Sequence, residues 1–340
     1  MRLLLLSAAT ILALSGQAAA ETYNATAIEF RDIAAEVTVI PENRTNIDVQ
    51  IGAMGRLPTP TARVTADGLV IDGGLRNRVR GCSSWSGSGD SVRIAGLGSI
   101  RRTALPRITV RVPRTLDYEA GGAIFTSIGP SSGGAVQLSG CGDTTLAAAS
   151  GGLDIDLNGS GSVEAARVGG ALAATLNGSG ALQVERADAD AALRLNGSGS
   201  LRVGDVRGRV DARLNGSGSL DIGSAGGDTR LALNGSGDLR AGAIAGSLDA
   251  GLSGSGSVRV ASVTGSSASL VLSASGNVSV QGGRVDQLTA RNSASGNVSF
   301  GGVAGTTRAM LSGSGNISVA NAGRIEQSVD TGSGSISFGR

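Results

Sequence analysis

The residues best suited to catalysis in this chain are carboxylates that recur in two short groups. Polysaccharide-cleaving enzymes use two such carboxylates as acid and as base or nucleophile. Arginines alternate with these acids along the chain, and interspersed opposite charges are typical of a solvated surface. We therefore interpret the groups as surface charge and keep a β-helical polysaccharide-processing enzyme as the alternative. The acids are Asp154, Asp156 and Glu164, then Glu185, Asp188 and Asp190, and the arginines are Arg194, Arg202, Arg207 and Arg209.

Other catalytic and binding chemistry lacks the residues it needs. The chain has no His and no Lys, since all 29 basic residues are Arg, and this removes the commonest general base and metal ligand. A phosphate-binding loop would lack its Lys, and a calcium-binding β-roll would lack an Asp at each turn. Aromatic residues make up 2% of the chain, too few to build stacking platforms for nucleic acid. The composition predicts no catalytic residue, metal, cofactor or nucleic-acid partner.

A repeat of 19 or 20 residues organises most of the chain. The stretch LNGSGS and its close variants recur with a Gly at the same place in each unit. Self-similarity at such a period indicates stacked copies of one small structural unit. One unit earlier, Gly142 continues the series in a degenerate form. The ten clean anchor glycines are Gly161, Gly180, Gly199, Gly218, Gly237, Gly256, Gly276, Gly296, Gly315 and Gly334.

Apolar and polar positions alternate within each unit. The positions six and four before the anchor, and two and four after it, are mostly Leu, Val, Ile or Ala. This period of two is typical of half-buried strands, and a unit this small buries its apolar face only by stacking. We predict an all-β, single-stranded parallel β-helix, a right-handed β-solenoid with coils of 19–20 residues. Each coil should hold two short strands, joined at Asn-Gly-Ser-Gly and closed at a looser corner such as Gly169-Gly170 or Gly282-Gly283.

The Asn-Gly-Ser-Gly corner is expected to be structural. Glycines on both sides of the Ser permit positive φ, so the chain can turn sharply there. Identical polar side chains at one level of successive coils can form hydrogen-bonded ladders, as stacked amides do in cross-β packing. The pattern leaves open whether they point into or out of the rod. The predicted ladder residues are Asn158, Asn177, Asn196, Asn215 and Asn234, with Ser160, Ser179, Ser198, Ser217 and Ser236.

The chain divides into three parts. Residues 1–20 have one Arg, an apolar run and a terminal Ala-Ala-Ala, the pattern of a secretory signal peptide cleaved before Glu21. Residues 21–140 predict irregular β coils that open and cap the rod, and residues 141–340 hold the regular repeats. No later segment is long and apolar enough to cross a membrane as a helix. We expect an exported protein without a transmembrane segment.

Two cysteines and one tryptophan stand out in the irregular part. Cys82 and Cys141 predict a single disulfide in an exported chain, with two free buried thiols as the alternative. Trp85 lies in the polar stretch RGCSSWSGSGDS. It is either a contact residue for a partner or a cap of the solenoid core beside the disulfide, and we favour the cap.

Residues 56–114 form a basic block of eleven Arg against three Asp. Such a block can attract anionic glycans or lipid phosphates at a cell envelope. We favour a solvated surface whose charge is offset by the acidic residues of the preceding segment.

The order of segments resembles the head GIN domain family, exported bacterial proteins described as auto-transporter adhesins. The motifs that carry the resemblance are IEFRDI, EVTVIPENRTNIDVQI, DGLVI and ITVRVP, followed by the SGSG units, over about residues 27–340. The resemblance implies a β-helical rod without enzymatic activity and defines no functional residues to carry over.

These observations predict an exported, non-enzymatic β-solenoid of the Gram-negative cell envelope. Its place is the periplasm, the outer membrane or the cell surface, and its role is adhesin-like or structural binding. The partner is left open between an envelope glycan and another surface protein, with a homo-oligomer as a further option.

Overall fold

A computed structural model describes residues 20–83 and 91–339, which form a β-solenoid of about 12 turns with coils of about 19 residues. Twenty-five strands belong to one sheet and three to a second, small sheet. Within the coils, each strand pairs in parallel with its equivalent one coil further along. The prediction of an all-β parallel solenoid is confirmed.

The N-terminal part mixes parallel and antiparallel pairing. Its strands are β1 (Glu21–Tyr23), β2 (Ile28–Glu42), β3 (Ile47–Ile51), β4 (Thr61–Val64), β5 (Leu69–Asp72), β6 (Val79–Ser83), β7 (Ser91–Ile94), β8 (Gly98–Arg101) and β9 (Arg107–Pro113), with a 3-10 turn at Arg102–Ala104. Strand β2 pairs in parallel with β5 and β9. Strand β3 pairs antiparallel with β1 and β9, and β4 pairs antiparallel with β5.

The regular coils begin at the long strand β10 (Thr115–Ile128). It pairs in parallel with β2 on one side and with β11 (Gly133–Cys141) on the other. The strands are β10 (Thr115–Ile128), β11 (Gly133–Cys141), β12 (Asp143–Leu146), β13 (Leu153–Gly159), β14 (Ser162–Val168), β15 (Leu172–Gly178), β16 (Ala181–Ala187), β17 (Ala191–Gly197), β18 (Ser200–Val206), β19 (Val210–Gly216), β20 (Ser219–Ala225), β21 (Thr229–Gly235), β22 (Asp238–Ile244), β23 (Leu248–Leu252), β24 (Ser257–Leu272), β25 (Asn277–Asn292), β26 (Asn297–Leu311), β27 (Asn316–Asp330) and β28 (Ser335–Phe338).

The register between coils places identical residues on top of one another. Leu157 pairs with Leu176, which pairs in turn with Leu195, and each step is one repeat. These leucines are at most 2% exposed, and the residues on either side of them point outward. Alternation along each strand therefore sends one set of side chains into a continuous core, as the period of two predicted.

The looser corner changes character along the rod. In the middle coils a bend separates the two strands, for example between β14 and β15. In the last coils one strand runs through the corner, so Gly282 and Gly283 lie inside β25 instead of ending a strand. The predicted corner survives there as a bulge, because the register between β25 and β26 shifts from Val280 to Arg284.

Strands β6, β7 and β8 form a separate antiparallel sheet beside the first coils. Val92, Ile94 and Ile100 on its inner face pack with Leu75 and Phe125 in a second hydrophobic core. A disulfide between Cys82 and Cys141, with 5.7 Å between the Cα atoms, joins this sheet to the end of β11. Trp85 lies outside the described residues, so its predicted role stays a prediction.

Candidate functional site

The Asn-Gly-Ser-Gly corners form a column on the outside of the rod. The side chain of Asn177 donates an Nδ2–H hydrogen bond to Oδ1 of Asn158 at 2.8 Å, and the same bond repeats up to Asn234 at 2.8–3.0 Å. All five asparagines are exposed. The open question of direction is thus answered for this column, since the amides stack on the surface of the rod.

The two glycines of each corner have different roles. The first glycine, such as Gly216 with φ 144°, adopts a positive φ in the coils from residue 159 to 235. The second glycine, such as Gly218, has no positive φ, but a Cβ there would overlap the carbonyl oxygen of Gly199 in the preceding coil. Both glycines therefore permit the close stacking of coils, since a Cβ at Gly216 would also overlap the carbonyl oxygen of Gly197, and the first glycine in addition permits the turn.

The serine column behaves differently from the asparagine column. The hydroxyls of the five serines from Ser160 to Ser236 are exposed, and none hydrogen-bonds to another described residue. Backbone bonds hold this level together, for example from the N–H of Ser198 to the carbonyl of Gly178 at 3.1 Å. The serines leave an open row of hydroxyl groups along the rod.

A second amide ladder lies one residue after the anchor glycine in the last coils. Asn297 donates to Asn277 at 3.1 Å, Asn316 donates to Asn297 at 3.1 Å, and the Ser335 hydroxyl bonds to Asn316 at 2.8 Å. This second ladder was not predicted from the sequence, because the prediction covered only the asparagines in the column of Asn158 and the serine column. The recurring SGN triplets that precede the last three long strands were the available signal.

We expect an Asn196→Asp substitution to destabilise the rod by about 1 kcal/mol at neutral pH. The carboxylate has no proton to donate to Asn177 Oδ1, so two acceptors face each other across 2.8 Å. Folding then raises the pKa of the new carboxyl, so the loss should be smallest below its unfolded pKa of about 3.9 and should grow as pH rises through the folded pKa. Chemical denaturation at several pH values measures this, with Ser198→Ala as a control in the unbonded serine column. An equal loss at acidic and neutral pH would contradict the ladder.

A groove, here called the coil groove, crosses the start of the strands β13, β15, β17, β19, β21 and β23. Its volume is about 880 Å³, and it extends over successive coils from Gly134 to Ser269. At about 4.8 Å per coil the groove is roughly 30 Å long. Small side chains make it, because Ala171, Ala173 and Ala192 stand where neighbouring coils carry charged residues.

Five carboxylates and two guanidinium groups line the coil groove. Asp190 and Asp228 each accept the backbone N–H of the next coil, from Arg209 at 2.8 Å and from Ser247 at 2.9 Å. Asp211 and Asp249 form ion pairs with Arg213 at 2.9 Å and with Arg230 at 3.9 Å, and the remaining excess of carboxylates along the lining favours a negative field. The charged groups are Asp154, Asp190, Asp211, Asp228 and Asp249, with Arg209 and Arg230.

The structure places members of the two acidic groups singled out in the sequence in different environments. Asp188 is held by hydrogen bonding from Arg167 and by ion pairs with Arg186 and Arg207 at 3.0 and 3.4 Å, and this lowers its pKa. Asp154 lies at one end of the coil groove, where burial and then the charge of Asp156 raise its pKa. Asp188 thus joins three arginines, whereas Asp154 forms no ion pair within the described residues and only the charge of Arg194 opposes the rise in its pKa.

No group of three or more His, Cys, Asp or Glu residues close enough to hold a metal occurs among residues 20–83 and 91–339. Over the same ranges, no helix has the length and apolar character needed to cross a membrane.

Comparison with known families gives one match. Residues 93–226 match the family model described as "Putative auto-transporter adhesin, head GIN domain". The resemblance read from the sequence is confirmed over that range, which runs from β7 to the end of β20 and includes most of the coil groove. No curated protein and no solved structure matches the chain.

Proposed function

We propose that this protein is an exported, non-enzymatic solenoid that binds an extended envelope glycan along its coil groove. The proposal starts from the match to the head GIN domain model. The single observation that carries the proposal is the groove itself, a depression of about 880 Å³ lined by equivalent positions of successive coils. A linear polymer with a short repeat is the ligand shape that such a surface fits.

The strand pairing argues for recognition through side chains. In the middle coils each strand is paired on both edges, as β17 is with β15 and β19. An extended peptide therefore finds no free backbone edge on which to add as a strand. The ligand has to be held by groups that project from the coils, and a glycan meets this requirement.

The charges of the groove indicate the kind of glycan. Asp154, Asp211 and Asp249 project from the same outward level of their strands, and Ala173 and Ala192 leave space between the first two. Burial and then the charge of Asp156 raise the pKa of Asp154, and Arg194 offsets this rise only in part. A glycan with amino groups would supply that compensation, whereas an anionic glycan would be repelled.

We expect chitosan oligosaccharides to bind, and Ala192→Trp to weaken their binding by about 10-fold, or roughly 1.4 kcal/mol. The indole would fill the groove at its stretch of small residues. Isothermal titration calorimetry at mildly acidic pH, where the sugar amines are protonated, measures the affinity. The matched control is Ala181→Trp, which adds the same side chain on the other side of the corner.

Fully N-acetylated chitin oligosaccharides carry no such charge and should bind more weakly than chitosan. Added salt should weaken the binding of chitosan, because the attraction is between exposed charges. Equal effects of the two Trp substitutions, or no binding of either oligosaccharide, would count against the coil groove as the binding site.

A glycan-processing enzyme is the second candidate, and the raised pKa of Asp154 favours it because a general acid needs a carboxyl that keeps its proton. Asp156 on the same strand face would be its partner carboxylate. New reducing ends in the same incubations, absent with Asp154→Asn, would support the enzyme over a pure binding protein.

A further inference from the structure

The small sheet of β6, β7 and β8 has two chemically distinct faces. Val92 pairs with Ile100 across the strands, and both side chains are buried against the rod. Arg93 and Arg101 alternate with these apolar residues, so they project from the opposite, outer face. Both arginines are exposed.

Serines occupy the centre of the outer face. Ser91 lies across from Ser83 on one side and from Arg101 on the other. The Ser91 hydroxyl hydrogen-bonds to those of Ser83 at 2.8 Å and Ser99 at 3.0 Å. The face is therefore flat and polar, with two guanidinium groups that stand above short side chains.

The arginines on this face lack carboxylate partners within the described chain. Of the eleven arginines between residues 56 and 114, Arg102 and Arg107 pair with Glu36, and Arg111 pairs with Glu42. Arg93 and Arg101 form no ion pair with any described residue. Residues 84–90, which join β6 to β7, lie outside the described residues and contribute one acid in the sequence, Asp90.

Further arginines extend the same charge around this sheet. Arg80 on β6 and Arg76 in the turn before it are exposed and likewise form no ion pair with a described carboxylate. The favoured interpretation of the basic block, a surface whose charge the preceding acidic segment offsets, therefore holds for Arg102, Arg107 and Arg111 but not for these four. No carboxylate of the described residues neutralises their positive charge.

We propose that the outer face of β6–β8 binds an anionic lipid membrane through the lipid phosphates. Guanidinium groups match phosphate oxygens in a bidentate way, and each basic residue near an anionic membrane contributes measurably to binding. A planar partner can reach both guanidinium groups because the side chains between them are short serines, and their charge is opposite to that of the coil groove. The disulfide from Cys82 to Cys141 fixes the sheet to the first coils, so the membrane would hold the rod at that end.

This membrane contact is independent of the proposed glycan site. The coil groove carries the opposite sign of charge and crosses the starts of the strands, whereas the disulfide joins the basic sheet to Cys141 at the end of β11. A rod held by its basic sheet would keep the groove free for its ligand. Loss of either activity can therefore be measured without loss of the other.

The test is sedimentation of the protein with vesicles of phosphatidylcholine that contain or lack phosphatidylglycerol. We expect binding only to the anionic vesicles, and Arg93→Gln with Arg101→Gln should weaken it by about 30-fold. The matched control is Arg209→Gln with Arg230→Gln, which removes the same charge from the coil groove and should not weaken vesicle binding. Circular dichroism and chitosan binding establish that the Arg93/Arg101 variant is folded.

Three results would overturn the proposal. They are equal binding to neutral and anionic vesicles, unchanged binding of the Arg93/Arg101 variant, and binding to dextran sulfate without binding to anionic vesicles. The last result would assign the face to an anionic glycan. Failure of chitosan binding alone would leave the membrane contact standing and would count only against the coil groove.

Discussion

A Gly218→Val substitution destabilises the middle coils by about 3 kcal/mol, whereas Ser217→Val at the neighbouring position changes stability by less than about 0.5 kcal/mol. Gly218 is buried at the corner, and a Cβ there would overlap the Gly199 carbonyl oxygen and lie 3.0 Å from Leu195 Cδ2. The added Cβ would meet backbone atoms on one side and a core side chain on the other, so neither neighbour can move without a cost in free energy.

Denaturant titration followed by circular dichroism measures the loss. Because each coil contacts mainly its neighbours, the damage should be local. Hydrogen exchange should therefore increase in the coils next to Gly218 and remain unchanged near β26. The control Ser217→Val introduces the same β-branched residue into the corner. Because Ser217 is exposed, this control does not change the spacing between coils. Equal losses for the two substitutions would show that coil spacing is not the constraint.

Removal of the disulfide by Cys82→Ser with Cys141→Ser costs about 4 kcal/mol in the unfolding of the N-terminal part. The bond closes a loop of 59 residues, so its loss frees a large number of unfolded conformations. The small sheet β6–β8 should lose most, because the second hydrophobic core and this bond hold it against the rod.

Hydrogen exchange of β7 and β8, compared with that of β17 and β19, measures this effect. We expect faster exchange in the small sheet and unchanged exchange in the middle coils. Reductant should reproduce the change in the wild-type protein and have no further effect on the double variant, which serves as its control. Faster exchange throughout the rod would contradict a local role for the bond.

Much of the fold could be predicted because its repeat is local and uninterrupted. Leu157, Leu176 and Leu195 occupy the same position in successive units, and the stack of coils follows from that period and the alternation around it. The N-terminal part was less accessible. Its antiparallel pairs, such as Val92 with Ile100, join strands whose sequences carry no repeated register.

The candidate site was less predictable than the fold. Asp154 and Asp190 were recognised as possible functional acids, but the groove between coils depends on Ala173 and Ala192, which carry no chemical signal. Likewise, Asp188 and Asp190 are two residues apart, yet one joins three arginines and the other lines the groove. Side-chain size and the direction of the strands in three dimensions decide which of these acids line the groove and which form ion pairs.

The sequence by itself determined the class of fold, the coil length, the inward columns and the cysteine pair, because each depends on residue type at a fixed spacing. Only the tertiary structure decided where surfaces form. It stacked the asparagines outward, left the serine hydroxyls unbonded, opened the coil groove and turned Arg93 and Arg101 to one face. These features arise between coils and between distant strands, where the neighbours of a residue are set by packing rather than by position along the chain.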